Sequence, residues 1–274
     1  MKVIKQLFNF YLDASFHVAL SVLSLLYATD ILLNIELDYH LNYFVFFGTV
    51  AAYNFVKYGV EAKKYVMVSN KNHKKIQIVS IIALVIAMYH VFFLHKNALI
   101  FMAVVVIMTA LYAIPVLPKA KNLRSLGGLK IFIVAFVWAG ATVILPAVES
   151  LTPISRDILI ESLQRFLLVL ILLVPFEIRD LAYDNPSLRT LPQRYGVTKT
   201  ILFGSFTTIV FYTLTFLKEE ILIIDIIGKG TLFLSLGFLM FFTRRDQKKY
   251  FASFWVEAIP IFWLIILHIT ILQL

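Results

Sequence analysis

The sequence predicts an all-α polytopic membrane protein, with about nine transmembrane helices in a bundle. Of its 274 residues, 61% are hydrophobic and only 15% are charged, whereas a soluble domain needs roughly a quarter of its residues charged to cover its surface. The apolar residues come in runs of roughly 17–25, the length that crosses about 30 Å of hydrocarbon. The chain has no cysteine, which excludes disulfides, thiolate catalysis and Cys-based metal sites.

Nine apolar segments are predicted to cross the membrane as a single domain, 1–274, and the loops between them alternate in charge. Of the 25 Lys and Arg residues, 20 lie in one set of loops. Because basic loops stay on the cytoplasmic side, we predict a multi-pass protein of the inner (cytoplasmic) membrane, with its amino terminus in the cytoplasm and its carboxyl terminus outside. No cleavable signal peptide is evident. The predicted spans are 11–34, 41–60, 76–95, 97–117, 129–148, 158–177, 199–217, 224–243 and 251–273.

The longer loops all fall on the predicted cytoplasmic side, at about 61–75, 118–128 and 178–198. Long loops carry function more often than short ones do, so this side is predicted to hold the site. The net charge of +9 is explained by the positive-inside bias and by anionic lipid headgroups. No nucleic-acid motif accompanies it, so we predict no nucleic-acid partner.

Three acidic residues close the sixth predicted span. Glu177, Asp180 and Asp184 are spaced i, i+3 and i+7, so on a helix they share one face, and Arg179 lies off it. We call these three acids the acidic stripe. Acids on one stripe repel each other unless a cation joins them, and Mg²⁺ with oxygen ligands is the usual solution. The alternative is a solvated helix end with ordinary arginine pairing, and the spacing alone does not separate the two.

A second group with the same spacing closes the second predicted span. It consists of Asn54, Lys57 and Glu61, and it also leads into a basic loop. We interpret the two groups as remnants of an internal duplication, in which two helix ends face a shared cavity. Chance recurrence of common residue types at helix ends is the alternative.

Two sequence blocks resemble the UbiA-type intramembrane prenyltransferases, and the form is closest to the menaquinone-pathway branch. The first is similar to the second aspartate motif of that family, and it reads Ile178-Arg179-Asp180-Leu181-Ala182-Tyr183-Asp184, then Arg189-Thr190-Leu191-Pro192 and Arg194-Tyr195-Gly196. The other is similar to the family's fourth-span end, loop and fifth span, and it runs from Tyr112-Ala113-Ile114-Pro115 through Lys119, Leu123-Arg124 and Gly127 to Lys130 and Trp138.

The resemblance implies a helical bundle around a lipid-accessible cavity that is open at the cytoplasmic side. It also implies Mg²⁺ as cofactor, an isoprenyl diphosphate and a lipophilic acceptor as partners within the lipid bilayer, and transferase activity. Asp180 and Asp184 would be the catalytic, metal-binding acids, and Glu177 would assist them as a metal ligand. The residues implied in diphosphate binding are Asn54, Lys57, Arg124, Arg179, Arg189 and Arg194.

The chain departs from the family pattern at the first aspartate motif. That motif, N-D-x-x-D-x-x-x-D, would begin at Asn54, but its aspartate positions hold Phe55, Tyr58 and Ala62. Two compensations are conceivable: Glu61 enters the site, or Lys57 contacts phosphate directly as a fixed cation in place of one Mg²⁺. Loss of the chemistry is the third outcome.

The sequence therefore favours a UbiA-type prenyltransferase that transfers a polyprenyl group to an aromatic or similar acceptor. One alternative is a family member that binds isoprenoid or lipid without catalysis. Another is a small solute carrier, which predicts broken helices at the midplane, whereas these acids cluster at one membrane face. The D-G-x-x-A-R signature of CDP-alcohol phosphotransferases is absent.

Some polar residues in the predicted spans rank lower as site candidates. For Asp13, His17 and Glu257 we favour structural hydrogen bonds between helices over catalytic roles. Asp225 and Lys229, spaced i and i+4 near the outer surface, are predicted to form an ion pair. The His residues lack the spacing of a transition-metal site.

Overall fold

The computed structural model describes residues 2–58, 71–113 and 127–273, and the regular elements within them are all helical. A short helix, α1 (Lys2–Asp13), precedes long helices that follow the predicted spans closely. These are α2 (Phe16–Leu33), α3 (Tyr39–Tyr58), α4 (Lys71–Val91), α5 (Lys96–Ala113), α6 (Gly127–Glu149), α7 (Arg156–Asp180), α8 (Leu191–Leu217), α9 (Ile223–Phe242) and α10 (Phe251–Gln273).

The long helices confirm the predicted all-α membrane fold. Eight of those in the described ranges have both the length and the apolar composition of a membrane span. The remaining one, α3, has 20 residues but more polar side chains. Much of α4 and α5 is exposed apolar surface, including Ile81, Val85 and Ile107, as expected for helices that face lipid.

The first predicted span begins too early, because the chain breaks between α1 and α2. Ser15 has a left-handed backbone with φ of 63°, which ends α1 and redirects the chain. Helix α1 has an exposed apolar edge that includes Val3 and Leu7, and Phe8 packs edge-on against Tyr250 with ring centroids 5.3 Å apart. A helix with one apolar and one charged face is typical of the membrane interface.

The core of the bundle lies around α7. This helix packs between α6 and α8, α2 packs on α3 and α10, and α9 packs between α8 and α10. Leu168, Ile171 and Val174 of α7 are fully buried. Helices α3, α7 and α9 end where α2, α8 and α10 begin, and we call this side of the bundle the motif end. The opposite side is the far end.

A buried network of charged residues lies in the far half of the bundle. Lys229 Nζ lies 2.7 Å from Glu161 Oε2 and 3.0 Å from Asp225 Oδ1. Lys218 Nζ lies 2.7 Å from Asp225 Oδ1. All of these side chains are at most 2% exposed. The predicted Asp225–Lys229 ion pair is therefore present, but it is buried and belongs to a larger network.

Arg165 extends this network to two further helices. Its guanidinium donates to Leu25 O at 2.6 Å and to the hydroxyls of Thr29 and Thr142 at 3.2 Å, and it pairs with Glu161 at 3.3 Å. Thr142 belongs to a π-helical turn, Gly140–Ile144, within α6. The network thus joins α2, α6, α7 and α9 by charge-assisted hydrogen bonds.

Candidate functional site at the motif end

Two residues of the acidic stripe converge on one lysine. Lys130, near the start of α6, places its Nζ 2.8 Å from Glu177 Oε1 and 3.0 Å from Asp184 Oδ2. Glu177 is only 5% exposed in its side chain, and Lys130 and Asp184 are 13% and 19% exposed. Two acids sharing one cation carry a net negative charge, so this cluster attracts a further cation.

The loop that carries Asp184 is held by hydrogen bonds at both of its ends. Helix α7 ends at Asp180, whose carbonyl accepts from the Asp184 amide at 2.8 Å. At the start of α8, Gln193 Nε2 donates to the carbonyls of Asp184 and Asn185, each at 3.2 Å, and its Oε1 accepts from the Thr190 amide at 3.0 Å. Gln193 therefore fixes the position of the Asp184 backbone.

Gly127 brings α6 against the same loop. It has a φ of +63°, and a Cβ added there would overlap the Leu188 carbonyl oxygen. Neighbouring Gly128 has no such constraint, since a Cβ there would meet its nearest atom, Arg189 O, at 3.8 Å. The close approach at Gly127 lets Lys130, one turn along α6, reach the acids.

We expect Gly127→Ala to destabilise the protein by about 1–3 kcal/mol, because Ala must adopt a left-handed backbone and push the 186–189 segment away. Thermal unfolding in detergent measures the change. Gly128→Ala is the matched control and should leave the melting temperature within about 1 °C, an effect well below 0.5 kcal/mol. Equal melting temperatures for the two variants would contradict this account of Gly127.

Asp180 stands apart from the other two acids. Its carboxylate receives Arg179 Nε at 2.7 Å and Arg179 Nη2 at 3.2 Å, and both side chains are more than a third exposed. The Arg179 guanidinium also lies 4.9 Å from the centre of the Phe176 ring. Asp180 therefore forms an ordinary surface ion pair with Arg179. Glu177 and Asp184 form a separate, more enclosed cluster with Lys130.

The stripe has the donor chemistry of a magnesium site. Its ligands are carboxylate oxygens, which Mg²⁺ prefers, and Glu177 Oε2 is buried without a hydrogen-bond partner. In the described part of the chain, no three acidic or histidine side chains are gathered closely enough to hold a metal. The carboxylates of the acidic stripe are suitable ligands for Mg²⁺, and the Lys130 ammonium group lies between Glu177 and Asp184.

The residues of the second group lie at the motif end of α3. Asn54 is fully buried, its Nδ2 donates to Ala14 O at 3.1 Å, and its Oδ1 has no hydrogen-bond partner. Lys57 is exposed, and its Nζ lies 3.4 Å from Leu12 O. Glu61 lies outside the described residues.

The other residues predicted to contact phosphate lie at the surface or outside the described residues. Arg189 and Arg194 are exposed, on the loop after α7 and on the first turn of α8. Arg189 has a left-handed backbone with φ of 50°. Arg124 lies outside the described residues. A cavity of about 410 Å³ lies at this end of the bundle, and its charged lining residues are Arg179, Arg245, Asp246 and Lys248. The motif end is therefore strongly basic around its acids.

Neither Lys130 nor Gln193 was predicted as a site residue, although Lys130 belongs to the second sequence block. Lys130 opens a predicted span, where a lysine is common, and only the packing of α6 on α7 brings it to the acids. Gln193 is three residues after Thr190, which is the spacing of a capping box. That spacing was a usable signal for the helix start, although not for the contact with Asp184.

Solved structures of UbiA-type proteins superpose on almost the whole chain, whereas no family model and no curated protein matches the sequence. A digeranylgeranylglyceryl phosphate synthase of membranes is 17% identical, with a TM-score of 0.59 over 98% of this chain and 100% of that one. A UbiA homologue from Archaeoglobus fulgidus bound to GPP and Mg²⁺ is 11% identical, with a TM-score of 0.64 over 94% of this chain and 98% of its own.

An apo UbiA homologue from Aeropyrum pernix K1 is likewise 11% identical, with a TM-score of 0.67 over 93% of this chain and 97% of that one. At these identities the likeness shows the fold. The chain has the UbiA-type prenyltransferase fold, as the two sequence blocks predicted.

Proposed function

We propose that this chain, which has the UbiA-type fold, transfers a polyprenyl group from its diphosphate to an aromatic or similar lipophilic acceptor. The observation that carries the proposal is the convergence of Glu177, Asp184 and Lys130 at the motif end. Asp180 lies at the end of the same helix as Glu177, in a separate pair with Arg179. From the asymmetry of the basic loops, we place this end at the cytoplasmic face of the inner membrane.

The proposed donor site combines acids and bases because a diphosphate needs both. Carboxylates alone repel a diphosphate, so Asp180, Asp184 and Glu177 would hold it through Mg²⁺, and the buried Asn54 Oδ1 offers a further oxygen ligand. Bound there, Mg²⁺ would neutralise the diphosphate and make it a better leaving group. The residues proposed to contact phosphate oxygens directly are Lys57, Arg124, Lys130, Arg179, Arg189 and Arg194.

An aromatic pair lies deeper in the bundle than the acids. Trp138 Nε1 donates to the Tyr53 hydroxyl at 2.8 Å, and their rings meet edge to face with centroids 6.3 Å apart. Departure of the diphosphate leaves positive charge on the allylic carbon, which aromatic faces stabilise by about 0.5–2 kcal/mol each. We propose that this pair lines the chamber for the isoprenoid.

A second candidate function is binding of an isoprenyl diphosphate or lipid without transfer. The observation that favours it is the weak first motif, because Phe55 and Tyr58 stand at two of its aspartate positions. Fewer acids would hold less Mg²⁺ and so activate the leaving group less strongly.

A transfer assay separates the two functions. Purified protein in lipid nanodiscs, with Mg²⁺ and tritiated geranyl diphosphate, would be given 4-hydroxybenzoate, 1,4-dihydroxy-2-naphthoate or a glyceryl ether phosphate as acceptor. We expect a labelled, organic-extractable product with at least one acceptor, and none in EDTA. Donor binding without product would favour the second function. Absence of donor binding would contradict both.

A further inference from the structure

The loop between α9 and α10, residues 243–250, carries a dense run of basic side chains at the motif end, and we call it the basic loop. From Arg244 to Lys249 it reads Arg-Arg-Asp-Gln-Lys-Lys, and all four basic side chains are exposed. Helix α9, which is apolar enough to span the membrane, ends at Phe242, so the charges begin two residues beyond it. A basic cluster directly at the cytoplasmic end of a span is typical of sites that bind anionic lipid headgroups.

The basic loop is anchored to two other helices by hydrogen bonds. In its middle, Gln247 Nε2 donates to Pro175 O of α7 at 2.9 Å. At its end, the Tyr250 hydroxyl donates to Asn9 Oδ1 of α1 at 2.7 Å. These contacts tie the loop both to the core helix α7 and to the short amphipathic helix α1. A site on this loop is therefore largely formed before any ligand arrives, which lowers the entropic cost of binding.

Exposed aromatic side chains flank the basic loop on both sides. Phe241 and Phe242 precede it, and Trp255 follows it in the first turn of α10. That turn is held by α2, because His17 Nε2 donates to Phe254 O at 2.9 Å, the kind of interhelical hydrogen bond that we predicted for His17. Aromatic residues are enriched where a membrane meets water. The loop therefore lies at the level of the lipid headgroups.

A cavity of about 410 Å³ lies between the basic loop and the end of α7. Arg179 and Tyr183 line it from the α7 side, and the loop contributes Arg245, Asp246 and Lys248. Its volume is within the range of about 300–1,000 Å³ that is usual for small-molecule sites. The cavity is therefore large enough for a phosphate-bearing headgroup.

The charges around this cavity do not balance. Arg179, Arg245 and Lys248 contribute three cations. Asp246 contributes one carboxylate, and a second belongs to Asp180, which lies 2.7 Å from Arg179. One positive charge is left in excess. A phosphodiester carries a single negative charge and would balance it, whereas a zwitterionic headgroup would not.

The cavity differs from the proposed donor site in its acids. Neither Glu177 nor Asp184 lines it, and Asp246 is the acid that does. A diphosphate held through Mg²⁺ needs several carboxylates, whereas a phosphodiester is bound directly by Arg and Lys. The lining residues therefore favour a lipid phosphate over an isoprenyl diphosphate.

We propose that this cavity binds the headgroup of one anionic phospholipid of the phosphatidylglycerol class. The lipid phosphate pairs with Arg245 and Lys248, and a hydroxyl of the headgroup donates to the Asp246 carboxylate. The acyl chains extend into the bilayer past the exposed Phe241 and Phe242. The inference does not depend on prenyl transfer, because it concerns a lipid that stays bound at the membrane surface.

The test compares two double variants that remove the same charge from the same loop. Arg245→Gln with Lys248→Gln removes two cations that line the cavity. Arg244→Gln with Lys249→Gln removes two exposed cations that are not among its lining residues. Delipidated protein in a neutral detergent is titrated with dioleoyl phosphatidylglycerol, and native mass spectrometry counts the lipids bound to each chain. Melting temperatures show whether each variant is folded.

We expect wild type to bind one phosphatidylglycerol at least about fivefold more tightly than phosphatidylcholine or phosphatidylethanolamine, the effect of one charge at a membrane surface. Losing the two lining cations should weaken phosphatidylglycerol binding by about 30-fold. Losing the two other cations should weaken it less than about threefold, because they make no contact in the cavity. Excess inorganic phosphate or geranyl diphosphate should not displace the lipid, since neither has its acyl chains.

Equal losses in the two double variants would overturn the inference, because they would show attraction by loop charge alone. Unchanged binding in the variant without the lining cations would overturn it as well. Displacement of the lipid by inorganic phosphate or geranyl diphosphate would assign the cavity to a free phosphate instead. The headgroup comparison needs only wild type, so equal binding of the three lipids would overturn the inference even if a variant failed to fold.

Discussion

Replacing Asp180 and Asp184 together with Ala should weaken Mg²⁺-dependent binding of geranyl diphosphate by about 100-fold or more. Charge-assisted contacts contribute about 1.5–3 kcal/mol each, and 1.4 kcal/mol is tenfold in affinity. The double variant removes two of the three carboxylates and also frees Lys130 from Asp184. Equilibrium binding of tritiated geranyl diphosphate to purified protein measures the change.

The single variants Asp180→Ala and Asp184→Ala should differ in their affinity for geranyl diphosphate. Asp184 belongs to the enclosed cluster with Glu177 and Lys130, whereas Asp180 is about a third exposed and paired with Arg179. We expect the larger loss of affinity from Asp184→Ala. Glu220→Ala, which removes an exposed acid at the far end, serves as the control. Unchanged binding in the double variant would refute the site assignment.

Replacing Glu161 with Leu should destabilise the protein by about 3–5 kcal/mol. Glu161 receives Lys229 at 2.7 Å and Arg165 at 3.3 Å, and all three side chains are at most 1% exposed. Without this acid, the network keeps three buried cations, Arg165, Lys218 and Lys229, and Asp225 contacts only the two lysines. Burying uncompensated charge in a low-dielectric interior is strongly unfavourable. Reversible unfolding in SDS or thermal unfolding in detergent measures the loss.

A double-mutant cycle tests whether the loss comes from unbalanced charge. Glu161→Leu combined with Arg165→Leu removes one charge of each sign, so it should recover a large part of the stability, because apolar replacements of buried ion pairs are often tolerated. Glu220→Leu, at the exposed surface of the same end, should change stability by less than about 0.5 kcal/mol. Additive losses in the double variant would contradict the charge-balance account.

Composition and residue spacing were enough to predict the helical bundle and its acidic motif. Long apolar runs leave few alternatives to membrane-spanning helices, and the predicted span bounds mostly differ from the helices by a few residues. The larger differences are at the start of α8, which begins at Leu191 rather than 199 and is kinked at Gly196, and at the start of α2, where a left-handed Ser15 separates an interfacial helix from the span. A single backbone angle of this kind leaves no signal in hydropathy.

The pairing of the motif residues was not predictable, because it depends on how helices pack. Spacing on one helix groups Glu177, Asp180 and Asp184, but α7 ends at Asp180 and the chain turns before Asp184. Asp184 is then drawn to Lys130 of α6, and Asp180 to Arg179. Part of the far network was missed for the same reason, since Lys229 meets Glu161 only across a helix interface, whereas Arg165 lies one turn from Glu161 on α7.

The most direct test of the central claim is equilibrium binding of geranyl diphosphate to the wild-type protein across a Mg²⁺ titration. If the acids of the motif end hold the diphosphate through Mg²⁺, binding should saturate at one molecule per chain, strengthen with Mg²⁺ and vanish in EDTA. Binding that is absent at every Mg²⁺ concentration, or that is equally strong in EDTA, would contradict the claim.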